Sequence, residues 1–147
     1  MKLRLILGDQ CSHTLSSLED IEDGDIIWMC EVWDEATYVK HHKKKIAFIF
    51  SCMRHFAEEL KAKGHNVHYT KLDDEDNAGS FRGEIKRAIT EHKPKEIIVT
   101  EAAEYRILED MKLWERDFDI PVDIRPDTRF LATHEEFAKW ADGRKQL

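Results

Sequence analysis

Cysteine is scarce in this chain: its 147 residues include three, Cys11, Cys30 and Cys52, with no C-x-x-C pair. An odd, scattered set argues against a disulfide framework and a zinc ribbon, and a reducing, cytoplasmic setting is expected. Long apolar runs are also missing. No stretch reaches the roughly 20 apolar residues that a membrane-spanning helix needs, and Met1-Lys2-Leu3-Arg4-Leu5-Ile6-Leu7 turns polar at Gly8-Asp9-Gln10 too soon for a signal peptide. Positive charge is in deficit, 23 basic against 30 acidic residues for a net −7. Such a surface repels phosphate backbones, so nucleic-acid binding by this chain alone is not expected. The one basic cluster, His41-His42-Lys43-Lys44-Lys45, reads as the charged first turn of a solvated helix face.

Motifs for phosphate and for nucleophiles are absent too. Neither G-x-G-x-x-G nor G-x-x-x-x-G-K-[ST] follows the first apolar run, which disfavours phosphate-bearing cofactors. There is no G-x-S-x-G elbow and no H-E-x-x-H, so nothing here requires an autonomous enzyme. His41, His42 and His55 are neighbours in sequence, but no carboxylate or cysteine stands at ligand spacing with them, and no metal site is expected.

What is present is a regular alternation. The 41% hydrophobic content over 147 residues suffices for one substantial core, so residues 1–147 are read as a single domain. The 36% charged fraction is read as solvated surface. Leu3–Leu7 and Asp25–Cys30 are continuous apolar runs, as buried parallel strands require. From about His42 to Lys63, Ile46, Ile49, Phe50, Met53, Phe56, Ala57 and Leu60 recur at helical spacing, and Gly64 closes the pattern. Asn66–Thr70 is a third strand, followed by an acidic loop, Asp73 to Gly79, expected to be exposed and mobile. Ser80 caps a helix ending before Pro94, and Glu96–Thr100 is a fourth strand. Tyr105 to Phe118 reads as one helix, Pro121–Ile124 as a fifth strand, and Thr133-His134-Glu135-Glu136 as a capping box with Phe137 and Trp140 on one side of its helix. The order implies an α/β fold: a doubly wound, mostly parallel, five-stranded Rossmann-like sheet with helices on both faces. The chain stops at Gly143-Arg144-Lys145-Gln146-Leu147 without a closing element, which reads as a cut linker to something else, so a fragment of a longer protein is expected.

Open parallel sheets bind ligands outside the carboxyl ends of their strands. The first strand delivers Gly8-Asp9-Gln10, the second Glu31-Val32-Trp33-Asp34-Glu35, and the fourth Thr100-Glu101, with Glu104-Tyr105-Arg106 beyond. Carboxylates beside glutamine suit an uncharged ligand rich in hydroxyl and ring N–H donors, with Trp33 or Tyr38 as a flat surface. For Asp34 and Glu35 a second reading stays open, that of carboxylates placed in a helix's first turn by its dipole.

Together, Leu5-Ile6-Leu7-Gly8-Asp9-Gln10, Met29-Cys30-Glu31-Val32 with Glu35 and Tyr38, His41 through Phe48, Met53 through Leu60, and Thr100-Glu101 through Tyr105-Arg106 resemble the N-terminal region of the deoxyribodipyrimidine photolyase-related proteins. These are the bacterial iron–sulfur branch of the cryptochrome/photolyase family. The resemblance covers essentially the whole chain. It implies a light-harvesting antenna domain that binds a lumazine, 6,7-dimethyl-8-ribityllumazine, and passes excitation to a flavin. On that expectation Gly8, Asp9 and Gln10 contact the lumazine, Glu31, Val32 and Glu35 meet its ribityl chain and ring, and Tyr38 and Lys45 close the pocket. Glu31→Ala and Glu35→Ala are then each expected to weaken lumazine binding without unfolding. FAD, the iron–sulfur cluster and the DNA-binding surface are expected in a C-terminal helical domain, the partner of this one, so the chain alone should not repair DNA while the parent protein is a DNA photolyase or photoreceptor. The alternative is a Rossmann-like domain that docks the FAD/iron–sulfur domain without binding a chromophore.

Overall fold

The computed structural model describes residues 1–144; Lys145, Gln146 and Leu147, within the expected linker, lie outside the described residues. Five short strands, β1 (Leu3–Ile6), β2 (Ile26–Cys30), β3 (Asn66–Thr70), β4 (Ile97–Thr100) and β5 (Val122–Arg125), form one sheet in the order β3-β2-β1-β4-β5. Every neighbouring pair is parallel. All residues of β1, β2 and β4 are buried, as their unbroken apolar runs require of strands covered on both faces. Strand order runs outward from β1 in both directions, so the switch point lies between β1 and β4.

Alternation along the strands divides the core into two layers. Leu3, Leu5, Trp28, Ile97 and Val99 face Ile85 and Ala88 of one helix (α3, Phe81–His92), Ile107 and Met111 of another (α4, Tyr105–Met111) and Trp114 of a third (α5, Trp114–Phe118). On the opposite face, Ile6, Ile27 and Met29 meet Met53, Phe56, Ala57 and Leu60 of α2 (Lys43–Ala62). Each of the Leu, Ile, Val, Met and Phe side chains among these contributes about 1.5–3 kcal/mol on burial. The α2 helix starts at His42, whose Nδ1 accepts from the Lys44 amide at 3.1 Å, and ends before Gly64 at φ +91°.

Four features differ from the expectation. The segment 105–118 is two helices: Asp110 accepts from the Leu113 amide (3.0 Å) and from the Trp114 indole N–H (2.8 Å), tightening the chain so that Trp114 turns fully into the core. Residues Trp33–Thr37, read first as a strand end, form a helical turn, α1, with no buried side chain; Asp34 and Glu35 lie in its first turn, as their second reading had it. The acidic loop is exposed, as expected, but tied down: Asn77 Nδ2 donates to the carbonyls of Glu31 (2.6 Å) and Lys71 (2.8 Å), and the Ala78 amide to Glu84 (2.8 Å). Arg4, inside an apparently apolar strand, is fully buried. Its guanidinium donates to Asp25 (2.9 Å), Asp20 and the carbonyls of Ser17, Glu19 and Asp20, so the buried charge is paired and its donors are used. The last helix, α6 (His134–Ala141), has its expected capping box from Thr133 and Glu136, and leaves Phe137 and Trp140 exposed. No described helix is long and apolar enough to cross a membrane.

Candidate functional site

A cavity of about 270 Å³ opens outside the carboxyl ends of β2, β1 and β4, slightly below the usual range for small-molecule pockets. Its interior is apolar: Leu7 after β1, Cys30 and Val32 at the end of β2, Ile46, Ile49, Phe50 and Met53 along α2, and Phe81, Ala102 and Ile107 opposite. Its mouth is polar, with Asp9, Glu35, Tyr38, His41, Lys45 and Glu104. An apolar body with a hydrogen-bonding end is the ligand shape these walls accept.

Each wall follows from local structure. Gly8 permits a close approach: a Cβ there would stand 3.1 Å from Met53 Sδ and 3.2 Å from Ile49 Cγ2, so a side chain at this position would require those two to yield. Asp9 is held from outside, its carbonyl accepting from Arg129 Nη1 at 2.7 Å. Arg129 is itself paired with the buried Asp127, whose carboxyl the adjacent guanidinium keeps below the ordinary range. Burial lifts the Cys30 thiol well above its normal pKa, with the nearby Glu84 charge adding to the effect. That cysteine is therefore a neutral, apolar part of the wall.

Of the residues singled out from sequence, the structure brings Gly8, Asp9, Val32, Glu35, Tyr38 and Lys45 to the cavity. Gln10 and Glu31 have other occupations. Gln10 is fully buried; its Oε1 accepts from the Leu7 amide at 3.2 Å and its Nε2 donates to the Thr100 and Glu101 carbonyls, each at 3.1 Å, stitching β1 to β4 across the switch point. Glu31 points away from the cavity into a closed network. Its carboxylate accepts from Arg54 Nε (2.6 Å) and Nη2 (2.8 Å), Tyr69 Oη (2.7 Å) and the Leu72 amide (2.9 Å). Burial alone would raise its pKa, but these four donors outweigh it and hold the carboxyl below the ordinary range.

At the mouth, Arg106 joins two walls. Nη2 donates to Glu35 at 2.8 Å and Nε to Glu104 at 2.9 Å, while the guanidinium carbon lies 4.4 Å from the centre of the Tyr38 ring. His41 meets the same ring edge-on at 5.2 Å. Sequence reading placed Glu104 just beyond the strand ends, but assigned no pocket role to His41 and took the α2 apolar residues for core alone.

A parallel sheet in this order, with a cavity at the carboxyl ends beside its switch point, defines the class: a Rossmann-like α/β domain carrying a candidate small-molecule site. The sequence pattern of the family described as deoxyribodipyrimidine photo-lyase-related protein matches residues 4–147, and the chain belongs to that family. It is also 56% identical over 147 residues to the (6-4) photolyase of Agrobacterium fabrum strain C58, an alignment covering 99% of this chain and 29% of that protein. The chain thus spans less than a third of the length of the curated relative it matches.

Proposed function

We propose that this domain is the light-harvesting, chromophore-binding module of a longer photolyase/cryptochrome-like flavoprotein, and that its cavity takes 6,7-dimethyl-8-ribityllumazine. The observation that carries the reading is the cavity's division into an apolar interior and a hydrogen-bonding mouth, at the sheet position where α/β domains bind ligands. The interior suits an uncharged bicyclic ring. Asp9, Glu35, Tyr38, Lys45 and Glu104 at the mouth suit a hydroxylated chain, because acceptors and donors stand side by side there. Gly8 and Val32 complete the wall by close approach rather than by charge. On this reading Gln10 and Glu31 act indirectly, by holding β1, β4 and α2 in place.

When bound, the chromophore supplies absorption of near-ultraviolet or blue light and transfer of the excitation to a flavin. The chain's own part is to exclude water, hold the ring rigid and keep its orientation fixed. The remainder of the longer protein would carry FAD, an iron–sulfur cluster and the DNA-binding surface, and would act on (6-4) lesions as the name of the Agrobacterium relative states. A second reading, a docking domain without a chromophore, is favoured by the apolar side chains left exposed after β5, Phe130, Leu131, Phe137 and Trp140. Titration with the lumazine, followed by its fluorescence anisotropy, separates the two. Saturable binding at one site per chain is the expected result, and no binding at any concentration would leave the docking reading.

A further inference from the structure

One wall of the cavity is held much less firmly than the others. The interior side chains of β1, β2 and α3 belong to the packed core, but α1 is five residues long and buries none of its side chains. It reaches the rest of the molecule through few polar contacts: the Asp34 amide donates to the Gly79 carbonyl at 3.0 Å, and Glu35 accepts from Arg106 at 2.8 Å. Tyr38, the residue that ends α1, meets the Arg106 guanidinium over its ring and His41 edge-on, with its hydroxyl 3.4 Å from Glu104. Arg106 sits on α4, across the mouth from α1. One guanidinium thus ties the two polar cavity-lining groups of the α1 segment, the Glu35 carboxylate and the Tyr38 ring, to the opposite wall.

We propose that α1 with Tyr38 is a lid and that Arg106 is the positioning residue that keeps it shut, setting how fast a planar heteroaromatic ligand enters and leaves. The lid itself stands on the geometry of the mouth; only its consequence for ligand exchange rests on the chromophore reading above. Arg106 does not line the cavity. It acts by neutralising Glu35 and Glu104, which would otherwise repel one another at the mouth, and by fixing the plane of the Tyr38 ring through a cation–π contact. Both ion pairs are partly solvated, with side-chain exposures of 25–46%, so each is weak and reversible. A lid that must admit a ligand needs a latch of that strength.

Cys30 offers a readout that needs no ligand, because it lines the cavity beneath the lid and is 2% exposed. With Cys11 and Cys52 replaced by serine, Cys30 is the one thiol left, and its rate of alkylation by N-ethylmaleimide reports opening. Arg106→Ala is expected to raise that rate about tenfold, the combined effect of two exposed ion pairs and one cation–π contact. Arg106→Lys should recover part of the protection, and salt near 1 M should accelerate labelling of the parent but not of Arg106→Ala. Glu35→Gln should accelerate labelling too, with little further gain in the double variant with Arg106→Ala. Unfolding midpoints measured alongside show whether labelling proceeds by global unfolding instead. Unchanged labelling in Arg106→Ala, or acceleration matched by an equal loss of global stability, would overturn the lid. Lumazine then separates the two claims: dissociation accelerated in Arg106→Ala supports both, whereas a parent protein that binds no lumazine but still shows the labelling pattern removes the chromophore reading and leaves the lid.

Discussion

Two carboxylate–arginine pairs lie one helical turn apart in sequence and do opposite work. Glu31 is buried, meets Arg54 through both oxygens and satisfies Tyr69 and the Leu72 amide as well. Glu35, one turn later, is partly exposed and meets Arg106 through one oxygen at the mouth of the cavity. The chemistry is the same; burial and the number of donors differ. The deep pair locks α2 and β3 to the end of β2, so its loss should register as instability, while the shallow pair holds a movable segment and its loss should register as exchange.

The largest expected effect is on Glu31. Glu31→Ala leaves Tyr69 Oη and the Leu72 amide without an acceptor and Arg54 unpaired, and should lower stability by about 2–3 kcal/mol, less than a fully buried pair because Arg54 is half-exposed. Urea unfolding measures it. The earlier expectation that this variant would weaken lumazine binding without unfolding is thereby revised, and a stability equal to the parent's would return Glu31 to the ligand site. Acid should act in the same direction. Burial is the largest single influence on Glu31, Glu84 and Asp25 and raises each, but hydrogen bonds, led by those from Arg54, Arg87 and the Lys2 amide respectively, together outweigh it and hold each carboxyl below its ordinary pKa. A carboxyl depressed in the folded state stabilises above its unfolded pKa, so that contribution erodes as pH falls below about 4 and is lost through the folded values. Unfolding midpoints that stayed flat from neutral pH to about 3 would contradict this.

Smaller still is the effect of Glu35→Gln, which should change stability by less than about 0.5 kcal/mol, with its consequence confined to exchange at the cavity. A large drop in midpoint would make the mouth as structural as the interior. Asp34→Asn is the mildest: it removes a carboxylate from the first turn of a very short helix, worth about 0.3 kcal/mol, and should leave the unfolding midpoint almost unchanged.

The fold was legible because its signals were redundant. Continuous apolar runs marked β1 and β2 as buried on both faces, and the periodic stripe from Ile46 to Leu60 marked α2. What escaped depended on neighbours that sequence does not order. Arg4 passed unremarked inside an apolar run, and its burial depends on Asp20 and Asp25 gathered around it; the helix at 105–118 broke because Asp110 serves both the Leu113 amide and the Trp114 indole. At the site, the loops after β1 and β2 both reach the cavity, but whether a side chain turns into it, as Glu35 does, or away from it, as Glu31 does, is decided by Arg106 and Arg54, distant in sequence. One missed feature had a usable signal. At 20 residues α2 is about 30 Å long, whereas the five residues of β2 extend about 17 Å, so the first turns of α2 must overhang the strand ends. Ile46, Ile49 and Phe50 are the apolar residues of that overhang, and they wall the cavity.

The most direct measurement is a side-by-side lumazine titration of the parent chain and Ala36→Phe, in which a bulky ring replaces a cavity-lining residue that is not part of the packed core. The expected result is a saturable anisotropy rise for the parent and none for Ala36→Phe at an unchanged unfolding midpoint. Equal binding by both chains would contradict placing the chromophore in this cavity.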